Sequence, residues 1–134
     1  MVKRYAVLYL VTLLVLFVLD VLFLAFVAKD IFAAQVGDML GDIRPVAAIL
    51  FYLLYIVGVV IFVNGPAAAT PRSSLLYGAL FGLFCYATFE FTAMSLLKHW
   101  TWPVVALDTS WGAIVTAISA TAGLAAANRL APKV

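Results

Sequence analysis

Three carboxylic acids interrupt long apolar stretches of this sequence. Asp20 lies late in the first stretch, Glu90 lies late in the third, and Asp108 lies near the start of the fourth. An ionisable side chain inside a membrane span is energetically costly, and such residues mark ligand, ion or proton sites. These three acids are therefore the candidates for ligand or proton binding.

The composition indicates an integral membrane protein. Of 134 residues, 67% are apolar and 10% are charged, whereas soluble domains carry about 25% charged residues. A soluble chain of this size would expose large apolar patches and aggregate. The formal net charge of +2 comes from scattered basic residues, which argues against a nucleic-acid partner. Membrane lipids are the expected surroundings.

Four segments approach the length of about 20 apolar residues that a spanning helix needs. The sequence thus predicts an all-α fold, with residues 1–134 forming one four-helix transmembrane bundle of antiparallel, up-down-up-down topology. The predicted spans are approximately 5–28, 46–63, 75–97 and 103–127.

The distribution of Lys and Arg predicts the orientation. With the N-terminus inside, Lys3 and Arg4 join three other basic residues on the inner side, against three on the outer side. Lys and Arg are enriched in cytoplasmic segments, and the first helix usually dominates. Both termini are therefore predicted to be cytoplasmic.

The three acids are predicted to lie at one depth. With a rise of about 1.5 Å per residue, Asp20 and Asp108 lie about 22 Å from the inner face and Glu90 about 24 Å from it. We expect them to form an outward-facing polar pocket with aromatic walls. Arg44 is the expected cationic partner, and Tyr86 and Trp111 lie one turn from Glu90 and Asp108.

Local structural roles are the alternative for each acid. Asp20 could bond to a neighbouring backbone group, Asp108 could cap a helix that starts later, and Glu90 could form one interhelical hydrogen bond. If two acids approach without a cation, at least one should hold a proton at neutral pH.

Small residues indicate where helices pack. Gly78 and Gly82 stand one turn apart in the third span, and Gly112 and Thr116 do so in the fourth, a pattern typical of close helix contacts in membranes. The segment 29–44 has two interpretations that the sequence leaves open. It is either a short amphipathic helix on the membrane surface or a capped loop.

The remaining residue types exclude several kinds of chemistry. One cysteine, Cys85, allows no disulfide within the chain, and we interpret it as a packing residue. The one histidine, His99, is expected at the membrane interface, and a single Cys and a single His form no zinc site. No Ser–His pair or phosphate-binding loop is present, so no cofactor and no catalytic residue is assigned, and an enzyme is disfavoured.

The segments resemble the bacterial membrane-protein family called domain of unknown function 2177. The resemblance covers nearly the whole chain; Phe23, Glu90 and Ala93 stand where relatives often have Trp, Asp and Asn. It implies a four-helix inner-membrane protein and carries no activity. It rests on Leu19-Asp20, Val27-Ala28-Lys29-Asp30, Phe51-Tyr52-Leu53-Leu54-Tyr55 with Gly58, Tyr86-Ala87-Thr88 and Asp108-x-x-Trp111-Gly112.

Three hypotheses for function follow from these features. The first is binding or transport of a small polar or cationic solute, with proton coupling, because intramembrane carboxylates mark such paths. A four-helix chain is expected to form a homo-oligomer to enclose such a route. The second is an accessory or assembly subunit whose helices dock on a larger membrane complex through small-residue faces. The third is a lipid-modifying membrane enzyme that uses paired carboxylates as acid and base.

Overall fold

The computed structural model describes residues 2–66 and 68–133, and all regular structure within these ranges is helical. A π-helical segment, Leu24–Ala28, joins the first α-helix to the second. A 3-10 turn, Gly37–Met39, follows the second α-helix, and a second π-helical segment, Val60–Asn64, ends the third. The α-helices are α1 (Val2–Phe23), α2 (Lys29–Val36), α3 (Pro45–Val59), α4 (Pro71–Leu96) and α5 (Trp102–Leu130).

Four continuous helical stretches are long and apolar enough to cross a membrane, which confirms the all-helical prediction. They are Val2–Met39, Pro45–Asn64, Pro71–Leu96 and Trp102–Leu130. The first extends 11 residues beyond the predicted end at Ala28, because the helix continues through the π-helical segment into α2. Of the two interpretations of 29–44, the structure has a helix over Lys29–Val36, followed by the 3-10 turn.

The starts of the helices follow from local chemistry. Thr70 forms a capping box with Ser73 at the start of α4, so two backbone N–H groups gain partners. Proline stands in the first turn of α3, α4 and α5, where its missing N–H costs no hydrogen bond.

The closest helix contact lies between α4 and α5. A Cβ added at Gly78 would lie 3.0 Å from the Cα of Ala117, and one added at Gly82 would collide with the carbonyl oxygen of Gly112. Four residues further along α4, the Tyr86 ring lies directly against Gly112. As residue numbers rise along α4, the numbers of the α5 residues in contact fall. The two helices therefore run antiparallel.

The other face of α5 packs against α1. Near the chain ends, the Arg4 guanidinium donates hydrogen bonds to the Asn128 side chain (2.7 Å) and to the Ala131 carbonyl (3.2 Å). Further along, the Thr12 side chain lies directly against Gly123. The start of α1 and the end of α5 therefore lie at the same end of the molecule. Of the four spans, α5 has the largest share of buried residues.

Helices α3 and α4 touch only over part of their length. Phe81 packs against Phe62, Gly58 and Tyr55, and Tyr55 also meets Tyr86 edge-on, with ring centroids 6.3 Å apart. One turn from Tyr55 toward the start of α3, residues of α3 and α4 line a cavity instead of packing against each other. This separation lies toward the end of the bundle away from the chain termini.

We predict that Gly82→Ala destabilises the protein by about 1–3 kcal/mol, the usual cost of overpacking. The added methyl group meets backbone of α5, which cannot rotate away. The measurement is the thermal unfolding midpoint in detergent. Gly37→Ala is the matched control, because a Cβ there has no neighbour within 4 Å. Equal midpoints for the two variants would contradict the close α4–α5 contact.

Candidate functional site

Asp20 joins three helices through its carboxylate. It is 6% exposed, and its two oxygens accept hydrogen bonds from the Tyr52 hydroxyl of α3 (2.5 Å) and the Trp111 indole N–H of α5 (3.0 Å). Both donors are neutral groups. The bonds orient the side chain without neutralising a charge.

The local sequence explains why these three groups meet. Leu8, Thr12, Leu16 and Asp20 recur every four residues, so they form the single buried stripe of α1. On α5, the Trp111 ring stacks on Phe23, with centroids 4.5 Å apart and planes 7° apart. This stacking fixes the indole so that its N–H points to Asp20.

A cavity of about 730 Å³ opens beside Asp20. Its walls are mostly aromatic and aliphatic, and the two charged residues among those lining it are Asp20 and Asp108. Asp108 is 9% exposed and lies within electrostatic range of Asp20. The lining is Asp20, Leu24, Phe32, Ala48, Phe51, Tyr52, Leu54, Tyr55, Cys85, Tyr86, Thr88, Phe89 and Asp108.

Glu90 lies behind this cavity, in the α4–α5 interface. Gly82 and Tyr86 both contact α5 and lie four residues apart on one face of α4. The next residue at this spacing is Glu90, which therefore faces Asp108 of α5. The two carboxyl groups interact electrostatically. Glu90 is 0% exposed, and neither of its oxygens has a hydrogen-bond partner. The Trp100 indole N–H lies beside it and is likewise without a completed hydrogen bond.

Asp108 interacts electrostatically with both of the other acids, Asp20 and Glu90. Over residues 2–66 and 68–133, the three acids do not converge into a group of three ligands that could hold a metal ion. Asp20 and Asp108 line the cavity and Glu90 does not, so the acids have different surroundings.

Comparison with known proteins agrees with the helical architecture. The sequence model of the family domain of unknown function 2177, described as a predicted membrane protein, matches residues 5–125. The chain belongs to this family. A search of curated proteins and a search of solved structures found no match. Asp20, Glu90 and Asp108 all lie within the matched region of this family member.

The structure brings together most of the residues singled out in the sequence. In this family member, Asp20, Asp108 and Tyr86 line one cavity, and Trp111 bonds to Asp20. Glu90 is adjacent but does not line the cavity. The structure places Arg44 elsewhere: it is exposed at the N-cap of α3 and is not among the lining residues described. Neutral donors already occupy both oxygens of Asp20.

Sequence reasoning did not assign Tyr52, Phe32 and Cys85 to the site. Tyr52 and Tyr55 share one side of α3 by their spacing of three residues, and this aromatic side was the available signal. Phe32 reaches the cavity because the first helix continues beyond Ala28, which the sequence did not predict. Cys85, interpreted as a packing residue, is half-buried and lines the cavity wall.

We predict that Tyr52→Phe lowers the free energy of unfolding by about 1–2 kcal/mol, because one oxygen of a buried carboxylate loses its donor. The measurement is reversible unfolding in mixed micelles. Tyr9→Phe is the control: its hydroxyl bonds to the Leu53 carbonyl on an exposed surface (2.9 Å), so a smaller change is expected. A larger loss in Tyr9→Phe would contradict the assigned importance of the Asp20 bond.

Proposed function

We propose that this protein binds a cationic amphiphile, a molecule with an ammonium head group on a hydrocarbon chain, in the cavity beside Asp20 and Asp108. The single observation that carries the proposal is a pair of carboxylates on the wall of an otherwise apolar cavity, with no Lys or Arg among the described residues that line it. The negative charge of the carboxylates favours a cationic group in the ligand, and the apolar walls favour a hydrocarbon chain.

The size of the cavity supports a ligand of this class. Pockets for small organic ligands are about 300–1,000 Å³ and are mostly apolar with a few polar groups that fix orientation. At about 730 Å³, this cavity falls within that range. Aromatic rings of Tyr52, Tyr55 and Tyr86 line the same cavity as the acids, and aromatic faces attract quaternary ammonium groups.

The route into the cavity is lateral. Wall residues Phe51 and Leu54 of α3 and Phe89 of α4 are 46%, 73% and 56% exposed. They line the gap that opens where α3 and α4 separate, and in a membrane this gap faces lipid. A ligand dissolved in the bilayer therefore reaches Asp108 without crossing a polar surface. This refines the small polar or cationic solute predicted from the sequence.

Asp108 is the expected anchor of the head group. Asp20 already accepts bonds from Tyr52 and Trp111, which hold it in place. Asp108 makes no such positioning hydrogen bond within the described part of the chain, and no Lys or Arg of the described cavity lining offsets its charge. A cation between the two carboxylates replaces like-charge repulsion with two attractions.

We further propose that the protein is an antiparallel four-helix bundle in a bacterial inner membrane, with both termini in the cytoplasm. The Arg4–Asn128 contact, which puts the chain ends together, and the excess of Lys and Arg near the ends support this orientation. The cavity then lies in the outer half of the bilayer. Transport in addition to binding requires a second, inward-open state or a homo-oligomer that encloses a route.

The test is native mass spectrometry of the detergent-released protein with dodecyltrimethylammonium. We expect wild type to bind it at least about tenfold more tightly than dodecyl sulfate or tetramethylammonium, which lack the charge or the chain. Asp108→Asn should weaken binding about tenfold or more, corresponding to about 1.4 kcal/mol. Asp38→Asn is the matched control, because Asp38 is exposed and outside the cavity.

Alkylation of Cys85 locates the bound probe. Cys85 is the chain's one cysteine and lines the cavity, so the bound amphiphile should slow its reaction with N-ethylmaleimide in wild type but not in Asp20→Asn/Asp108→Asn. Equal binding of dodecyltrimethylammonium and dodecyl sulfate, or unchanged affinity in the double variant, would refute the proposal.

A further inference from the structure

We infer that Glu90 carries a proton behind the ligand cavity, and that a cation bound at Asp108 displaces this proton. The inference rests on the proposed function and specifies how the site is regulated. Its basis is geometric: a carboxyl group that is wholly buried, faces a second carboxyl group across a helix interface, and has no hydrogen-bond partner at either oxygen.

The surroundings of Glu90 do not stabilise a negative charge. From the α4–α5 connection, Trp100 supplies one neutral N–H that completes no hydrogen bond. The cluster around Trp100 is apolar: Ala93, Val104 and Val105 form its buried part, and α2 packs Ile31, Phe32 and Val36 against it. An isolated carboxylate in such surroundings is far costlier than the neutral acid.

Asp108 is the charged group that faces Glu90. It comes from α5, lies at the matching register position, and interacts with Glu90 electrostatically. Asp20 lies beyond Asp108 and interacts with it in turn. Lys98 and His99, which are close in sequence, are exposed. Two ionised carboxylates that face each other in this apolar interface would repel each other.

Asp108 belongs to both sites, and this couples them. A cation beside Asp108 cancels the charge that opposes ionisation of Glu90, so the O–H bond of Glu90 breaks and the proton leaves the protein. One positive charge enters the site and one leaves it, and the net charge of the complex is conserved. By linkage, protonation of Glu90 weakens cation binding by the same factor.

The experiment uses a property of the sequence: Glu90 is its one glutamate. Glutamate labelled with ¹³C at the side-chain carboxyl therefore gives a single protein signal, whose chemical shift reports the protonation state. In ligand-free nanodiscs at pH 7, we expect the signal at the position of a protonated carboxyl group. Dodecyltrimethylammonium should move it toward the ionised position, and Asp108→Asn should remove this response.

The affinity for dodecyltrimethylammonium gives a second readout. In the pH range where ligand-free Glu90 is protonated, the affinity should increase by up to about tenfold for each unit by which the pH is raised. This is the limit for exchange of one proton. Glu90→Gln should flatten this dependence, and Glu90→Asp, which keeps an ionisable group, should restore part of it. Retained folding of both variants is checked by the thermal unfolding midpoint.

Two results would overturn the inference: a ligand-free Glu90 signal at the ionised position at pH 7, or a wild-type pH dependence in Glu90→Gln. Failure of the proposed function is a different result, because wild type would then not bind the amphiphile at any pH. In that case the ligand-free Glu90 signal still decides whether the proton is present.

Discussion

The close backbone contact between α4 and α5 is the constraint on which the rest of the structure depends. Glycine at positions 82 and 112 lets the two backbones approach to where any side chain would collide. Without a hydrophobic driving force in lipid, such close packing is a main source of helix association. The contact also fixes the register between the helices, and this register puts Glu90 opposite Asp108.

The site follows from that register together with the buried stripe of α1. Because α5 is covered by α4 on one face and α1 on another, Asp108 lies near Glu90 of α4 and Trp111 stacks on Phe23 of α1. Trp111 then donates to Asp20, and the Tyr52 hydroxyl joins α3 to the same carboxylate. A single acid thus ties together three helices, while α3 stays apart from α4 beyond Tyr55 and leaves the cavity open. The hydrogen bonds to Asp20 and the opening of the cavity both follow from the way these helices pack.

Polar groups away from the site behave differently, which sets the three acids apart. Thr92, Ser119 and Thr121 donate to the backbone carbonyl four residues earlier in their own helix. This local bonding satisfies a hydroxyl at little cost. A carboxylate has no donor to return to its own helix, so Asp20 must find partners on other helices, and Glu90 is neutral only if it carries a proton.

The sequence by itself determined the helical class, the presence of four apolar spans and the family. These follow from composition, segment length and local motifs, which act within a single helix. It also indicated that the acids in apolar segments are candidate binding residues, because a charged group in an apolar span is costly in any fold. Only the tertiary structure decided which acids share a cavity, that Glu90 lies behind it and Arg44 outside it, and that Tyr52 completes the Asp20 site. Those outcomes depend on helix rotation and separation, which are set by packing between segments far apart in the chain.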